Sequence, residues 1–408
     1  MALNLKKKIW RVKEMVRKEG VLPALRAVVR RLRQGPGRYV DVFRHYDFAL
    51  PYVLPAVPGD ARAGTLLWFI PDFNLGSGGH LNIFRTIWHL EQMGYTSTIV
   101  IGKPVMHQNA DEARDEIREH FFPLQAQVLL GLDQLPPCEF ALATGWDTAY
   151  AVRAFTGAQH KLYFVQDYEP HFYPVGSESV LAENTYHFGF FGITAGGWLA
   201  HKLAQEYGMT THPVGFGVEL ERYRRMPRRE PEIRRVFFYA RPPTPRRAFE
   251  MGLLVLNAVW QRLPDVQFVL AGWDTAGYHI PFPHLGCGTV ALDDLPDLYS
   301  QCDAALVLSL TNASLLPLEL MASGCAVVSN RGANVEWLLN DDVVMLAETS
   351  PEGLADAVCA LLQDDERRHA MSLRAEAFAR GLTWDAVARD FEAGLQRARA
   401  HNHPRGEF

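Results

Sequence analysis

Between Asp303 and Arg331 the chain carries one charged side chain, Glu319, in the run "AALVLSLTNASLLPLELMASGCAVVSN". A buried, unpaired carboxylate costs several kcal/mol, so such a group neutralises, finds partners or faces a wet cavity. Pro317 suits the first turn of a helix and Gly324 the position just past its end, so "PLELMASG" reads as a short helix. Leu316, three residues before Glu319, cannot cap, which removes the capping-box explanation of the acid. A carboxylate one turn into this helix can accept from two neighbouring hydroxyls, as a ribose offers. The backbone N–H groups around Ser314, Leu315 and Leu316 make the helix start an anion site. A second cluster lies in "YARPPTPRRAFEMG", where Arg241 follows a strand and Arg246 and Arg247 open the next helix. Alone this is a solvated basic turn. Beside the anion-ready helix start and Glu319, its guanidiniums can clamp a diphosphate, and the set describes a nucleoside-diphosphate pocket.

The first half offers weaker chemistry. In "GSGGH" (76–80) the glycines, Gly78 and Gly79 among them, let backbone approach a ligand closely at a helix start. No Gly-Lys-Ser/Thr ending makes it a Walker loop, and the full G-x-G-x-x-G spacing is missing. His80 closes this motif as a candidate near the reacting group. "FVQDYEP" (164–170) ends a strand with Gln166, Asp167 and Glu169. Two acids at a strand end cap a loop or, in a direct displacement, supply a general base. Five scattered cysteines without C-x-x-C give no zinc site and favour a reducing cytoplasm. No D-x-D occurs, and with arginines available to neutralise a diphosphate we expect neither a metal site nor a cofactor.

The elements that must position these groups alternate. "TLLWFI", "TSTIVIG", "FALAT", "KLYFVQD" and "FFGITAG" read as buried strands, each ahead of loop or helix residues. "THPVGFGVELERY" (211–223) reads as the start of a linker. Alternation resumes with "RVFFYA", "VQFVLAG", "AALVLS" and "AVVSN", separated by helices near 247–262, 294–302 and 316–323. Apolar runs between helices indicate parallel sheets covered on both faces, so the fold class is α/β with two doubly wound domains facing a cleft. The expected division is a basic helical segment at 1–40, domains at 41–218 and 219–380, and a terminal helix at 381–408 returning to the first domain. The chain of 408 residues is 48% hydrophobic and 21% charged, an ordinary globular composition. Residues 1–35 carry +9 of formal charge against −5 for the whole chain. That basic end suits either an anionic membrane surface or a solvated helix. With few interleaved aromatics and an acidic body, we expect no nucleic-acid partner.

"ARPPTPRR", "LPDLYSQCDAALVLSLTNASLLPLELMASGCAVVSN" and "TTHPVGFGVELERY" resemble GT-B-fold glycosyltransferases of the family-4 type, in particular bacterial rhamnosyltransferases of surface polysaccharide synthesis. "GSGGHLNIFR" and "YFVQDYEPHFYPVGS" are similar to the same subgroup, and the likeness runs over about residues 65 to 390. It implies that Arg241 with Arg246 or Arg247 holds the donor diphosphate, Glu319 the ribose, and the backbone near Leu315 and Leu316 the phosphate. It further implies retention of configuration, with the leaving phosphate taking the acceptor proton, and the glycine loop lying between donor phosphate and acceptor. Where the family often has a second glutamate, this chain has Thr311 with Asn312 beside it, which suits a 6-deoxy sugar. The resulting expectation is transfer of L-rhamnose from dTDP-L-rhamnose to a glycan or lipid-linked saccharide, in the cytoplasm or on the inner membrane face. A nucleotide-sugar 2-epimerase and a non-catalytic glycan-assembly subunit are the alternatives.

Overall fold

The structure, a computed structural model, describes residues 42–401. The expected basic helical segment at 1–40 lies outside the described residues. Two units divide the chain: one runs to Leu50 and includes Ala276–His279, the other comprises Pro51–Thr275 and everything from Ile280. Of the first unit, the described part holds a short helix α1 (Val42–Tyr46) and a 3-10 turn at Asp47–Ala49.

The larger unit contains two wholly parallel sheets. The first orders its seven strands β3-β2-β1-β4-β5-β6-β7. These are β1 (Thr65–Ile70), β2 (Thr96–Ile101), β3 (Gln127–Leu130), β4 (Cys138–Ala143), β5 (Ala158–Val165), β6 (Phe191–Ala195) and β7 (Thr211–Val214). Helices α2 (Gly78–Gln92), α3 (Ala110–His120), α4 (Trp146–Ala154), α5 (Ser177–Asn184) and α6 (Gly197–Tyr207) connect them. The second sheet orders six strands β10-β9-β8-β11-β12-β13. They are β8 (Arg235–Tyr239), β9 (Gln267–Ala271), β10 (His284–Gly288), β11 (Ala304–Val307), β12 (Ala326–Asn330) and β13 (Met345–Ala347). Helices α7 (Phe249–Arg262), α8 (Leu295–Ser300), α9 (Leu316–Ala322), α10 (Ala333–Glu336), α11 (Pro351–Gln363) and α12 (Asp365–Arg380) accompany it. Each sheet has its own apolar core, one around Trp68, Phe84, Phe140 and Phe391, the other around Phe238, Phe268, Leu306 and Val358. Central strands buried on both faces are why the sequence shows near-continuous apolar runs instead of alternation.

The segment 211–214 is an edge strand, not linker: β7 pairs with β6, and the connection to the second sheet follows it. Pro213 is tolerated there because an edge strand has one side without a ladder partner. A last helix, α13 (Trp384–Ala400), packs on the first lobe, with Phe391 stacked on Trp68 at 5.7 Å and edge-on to Phe164 at 5.2 Å. The chain therefore crosses between lobes twice, and the crossings touch: Val218 donates to the Leu382 carbonyl at 3.0 Å. A Cβ on Gly217 would lie 2.6 Å from the Trp384 nitrogen, so only glycine fits where the two backbones meet.

Candidate active site

Strand order in the second sheet reverses between β8 and β11, which pair side by side. Loops leaving two such strands diverge and open a crevice at their C-terminal ends. Here the loops are 240–248 and 308–315. They are tied together by the Leu310 N–H on the Arg246 carbonyl at 3.0 Å and by Arg247 Nη1 on Ser309 Oγ at 2.5 Å. Arg241 donates from Nε to Thr244 Oγ1 and from Nη1 to the Tyr239 hydroxyl, both at 3.2 Å. A 3-10 turn at Pro245–Arg247 ends on Ala248, whose φ of 50° is the only positive value at a non-glycine among the described residues. That left-handed step, unfavourable by about 1–2 kcal/mol for an L-residue, swings the chain from the arginine turn into α7. The sequence-predicted basic cluster and the helix bearing Glu319 thus leave adjacent strands of one sheet.

Glu319 occupies the first turn of α9 and is half-buried. Burial pushes its carboxyl up to about 7; Arg85 pulls it down, Glu219 adds to the rise, and the Tyr223 hydroxyl donates to it. The first intrahelical donor here, the Glu319 N–H, reaches Leu315 O at 3.1 Å. The N–H groups of Ser314, Leu315 and Leu316 precede that ladder, and these residues are half-buried. Thr311 is buried, and its hydroxyl is one of the groups that lower the carboxyl of Asp167.

From the other lobe, Asp167 at the end of β5 reaches these arginines. Its Oδ2 lies 3.4 Å from Arg246 Nε. Burial raises the Asp167 carboxyl, while Arg247 and Arg246 pull it down. The Arg246 guanidinium also lies over the Phe172 ring at 4.1 Å. Burial lowers Arg247, with Asp167 opposing.

Three expected contacts are placed otherwise. His80 has both ring nitrogens engaged, Nδ1 with Ser77 Oγ at 2.8 Å and Nε2 with the Pro71 carbonyl at 3.0 Å. A carbonyl only accepts, so Nε2 carries the proton and Nδ1 accepts from the serine; burial lowers the pKa, with the Pro71 bond opposing. That ring is a loop clamp, not a free acid or base. Glu169 is buried, accepting from the Trp146 N–H at 2.7 Å and the Tyr163 hydroxyl at 2.8 Å. Burial pushes its carboxyl up to about 8, so it is a neutral internal brace, not the general base that a direct displacement would draw from this pair. Asn312, expected to bind the donor, is 1% exposed and spends its amide between the lobes. Its Nδ2 donates to the carbonyls of Gln166 and Ala195, each at 3.0 Å, and its Oδ1 accepts from Trp337 Nε1 at 2.8 Å. Gly78 and Gly79 form the first turn of α2, and Gln166 Nε2 donates to the Gly79 carbonyl at 3.2 Å.

Sequence reasoning overlooked Arg85, Glu219 and Tyr223. Arg85 is buried in α2, over the Trp384 ring at 4.0 Å, donating to Asn82 Oδ1 at 3.1 Å and paired with Glu219. Glu219 also takes Arg222 Nη1 at 2.5 Å. The signal was present: Arg85 interrupts "NIFRTIW" between Phe84 and Ile87, as anomalous on an apolar helix face as Glu319 is in its own run.

Residues 234–359 match the family model described as WsaF, C-terminal domain, and residues 135–194 match WsaF, N-terminal domain. The chain is 33% identical over 364 residues to the O-antigen biosynthesis protein RfbC of Myxococcus xanthus, covering 86% of this chain. It spans 28% of that relative's length. Among solved structures it resembles the sucrose-phosphate synthase of Thermosynechococcus elongatus, with a TM-score of 0.64 and 12% identity over 82% of this chain and 99% of that one. Anabaena HepE in complex with UDP gives 0.64 and 14% over 82% and 100%. TarM gives 0.65 and 8% over 82% and 99%. The fold is GT-B: two Rossmann-like domains of the α/β class.

Proposed function

We propose that this chain is a glycosyltransferase of surface-polysaccharide synthesis that takes a nucleoside-diphosphate sugar as donor. One observation carries the reading. Arg241, Arg246 and Arg247 lie on one loop, and Glu319 on the helix that follows the other, of the two loops leaving the strands where the second sheet reverses its order. Guanidiniums suit a diphosphate, and a carboxylate facing a crevice suits sugar hydroxyls. The matches to the WsaF domains and to an O-antigen biosynthesis protein support the same class.

In the proposed reaction the bond between the sugar's anomeric carbon and the diphosphate oxygen breaks, and the acceptor hydroxyl oxygen bonds to that carbon. The acceptor proton passes to the departing phosphate oxygen on the same face, giving retention. The arginines stabilise charge building on the diphosphate, the kind of preorganised electrostatic help that dominates many enzymes. Two placements favour a mechanism without a protein base: His80 has both nitrogens engaged, and Glu169 is neutral and enclosed. L-Rhamnose from its dTDP form is the proposed donor, with a glycan or lipid-linked saccharide as acceptor. The neutral Thr311 supports a sugar that presents a methyl group. No resident cofactor is proposed.

Incubation with dTDP-L-rhamnose or UDP-glucose, with and without a saccharide acceptor, tests the reading by release of nucleoside diphosphate. Acceptor-dependent release is expected, fastest with dTDP-L-rhamnose. Faster turnover of UDP-glucose would replace the proposed donor, and conversion of a donor without acceptor would point to epimerisation. Binding of neither dTDP nor UDP would remove the reading altogether.

A further inference from the structure

One of the arginines at the crevice, Arg246, already meets an anion of the protein's own, and Arg247 lies within its field. Asp167 comes from the first lobe, Arg246 and Arg247 from the second, and the contact bridges the cleft at 3.4 Å. The pairing is loose: Arg246 Nε is buried yet has no hydrogen-bond partner, although a well-seated Arg–carboxylate pair is bidentate. Asp167 is itself engaged elsewhere, Oδ1 accepting the Tyr168 N–H at 2.8 Å. The remaining oxygen, Oδ2, meets Arg246 Nε only at 3.4 Å, while the charge of Arg247 and the Thr311 hydroxyl also act on the carboxyl.

We propose that Asp167 is an affinity-setting residue, a carboxylate that holds Arg246, with Arg247 nearby in its field, and must surrender them when a nucleoside diphosphate binds. This rests on the proposed donor site. A diphosphate brings more acceptor oxygens and more charge than one carboxylate oxygen, so it wins the exchange, but against a built-in competitor. The consequence is a moderated donor affinity and a cross-lobe contact that breaks as the donor seats.

Calorimetric titration of the full chain with dTDP and with UDP tests this. Asp167→Asn is nearly isosteric and keeps an oxygen for the Tyr168 N–H, so it removes the competing charge while preserving the loop. It should bind the preferred nucleotide at least about threefold tighter than wild type, and Asp167→Ala should do so as well. In the Arg246→Ala background the gain should shrink or vanish, since the competition then has one arginine fewer to act on. Equal or weaker binding by Asp167→Asn and Asp167→Ala would overturn the proposal and make the carboxylate a support for the arginines. Loss of cooperative unfolding in both variants would overturn it too, because the acid would then be structural. Wild type that binds neither nucleotide would instead defeat the donor-site reading, which distinguishes the two failures.

Discussion

Glu319 shows what a single side chain contributes beyond its charge. Burial disfavours the ion and pushes its carboxyl up to about 7, and Arg85 from the other lobe only partly restores it. A carboxylate accepts hydroxyl hydrogen bonds better than a carboxylic acid does. The advantage it gives a bound nucleoside should therefore grow as pH rises through about 7. Glu319→Gln tests this, with the nucleotide's own titration cancelling between the two proteins. UDP offers two ribose hydroxyls and dTDP one, so the substitution should cost more with UDP. About tenfold weaker UDP binding at pH 8 is expected, in line with ~1.5 kcal/mol for a hydrogen bond to a charged group. A pH-independent ratio between wild type and Glu319→Gln would remove the carboxylate from the binding site. The oddity of Glu319 was legible because one acid in a long uncharged stretch has few bland explanations. Arg85 carried the same signal in a helix where the surrounding apolar residues invited a core reading.

At the scale of elements, the central strands β1, β2, β4, β5, β6, β8, β9, β11 and β12 are all legible as apolar runs, since burial on both faces forces composition. The four strands that escaped notice, β3, β7, β10 and β13, are the two outermost of each sheet, and β3 is a four-residue "QVLL" with an exposed first residue. β7 contains Pro213, β10 is the glycine-rich "HLGCG", and β13 has three residues. Edge positions need neither continuous apolarity nor a full set of N–H donors, so they leave a weak trace. Brace residues leave none at all. Glu169 stands two positions after Asp167 and looks like its twin, yet it is turned inward to join the start of α4 to β5 through Trp146 and Tyr163. Its folded pKa of about 8 lies above the reference value of 4.5, so the folded state favours the proton. Stability from this group is therefore present at low pH and is lost as pH rises from 4.5 through about 8. Glu169→Gln mimics the protonated form and can still accept from the Trp146 N–H. Its Tm should match wild type near pH 5 and exceed it at pH 9, as scanning calorimetry can measure. Parallel pH curves for the two proteins would mean that Glu169 does not titrate in this window.

The whole molecule depends on contacts that join segments far apart in the chain, and these are the least readable from sequence. Asn312 lies 146 residues from Gln166 and 117 from Ala195, yet its amide donates to both carbonyls. Nothing in "LTNAS" distinguishes that use from a sugar contact, because an asparagine is equally suited to either. The expectation of a donor ligand at this position followed from the resemblance to a family that often has a glutamate beside it, and the loop leaves β11 at the strand-order reversal. The side chain spends its amide fastening the lobes instead. Trp337 completes the rivet: its indole N–H reaches Asn312 Oδ1, and its ring leaves no room for a Cβ on Gly196, whose φ is 92°. Asn312→Ala would strip two carbonyls and one indole N–H of their partners in a site 1% exposed. Each buried group left unpaired costs about 1–3 kcal/mol, so a loss of roughly 3 kcal/mol or more is expected, with some relief if water enters. The lobes have separate cores and would then share fewer contacts, so the calorimetric transition should broaden or split. Nucleotide affinity should fall several-fold, because the arginines, Asp167 and the α2 loop would no longer be held in one arrangement. Unchanged stability, a single sharp transition and wild-type affinity in Asn312→Ala would show that the two crossings at Gly217 and Trp384 align the lobes without it.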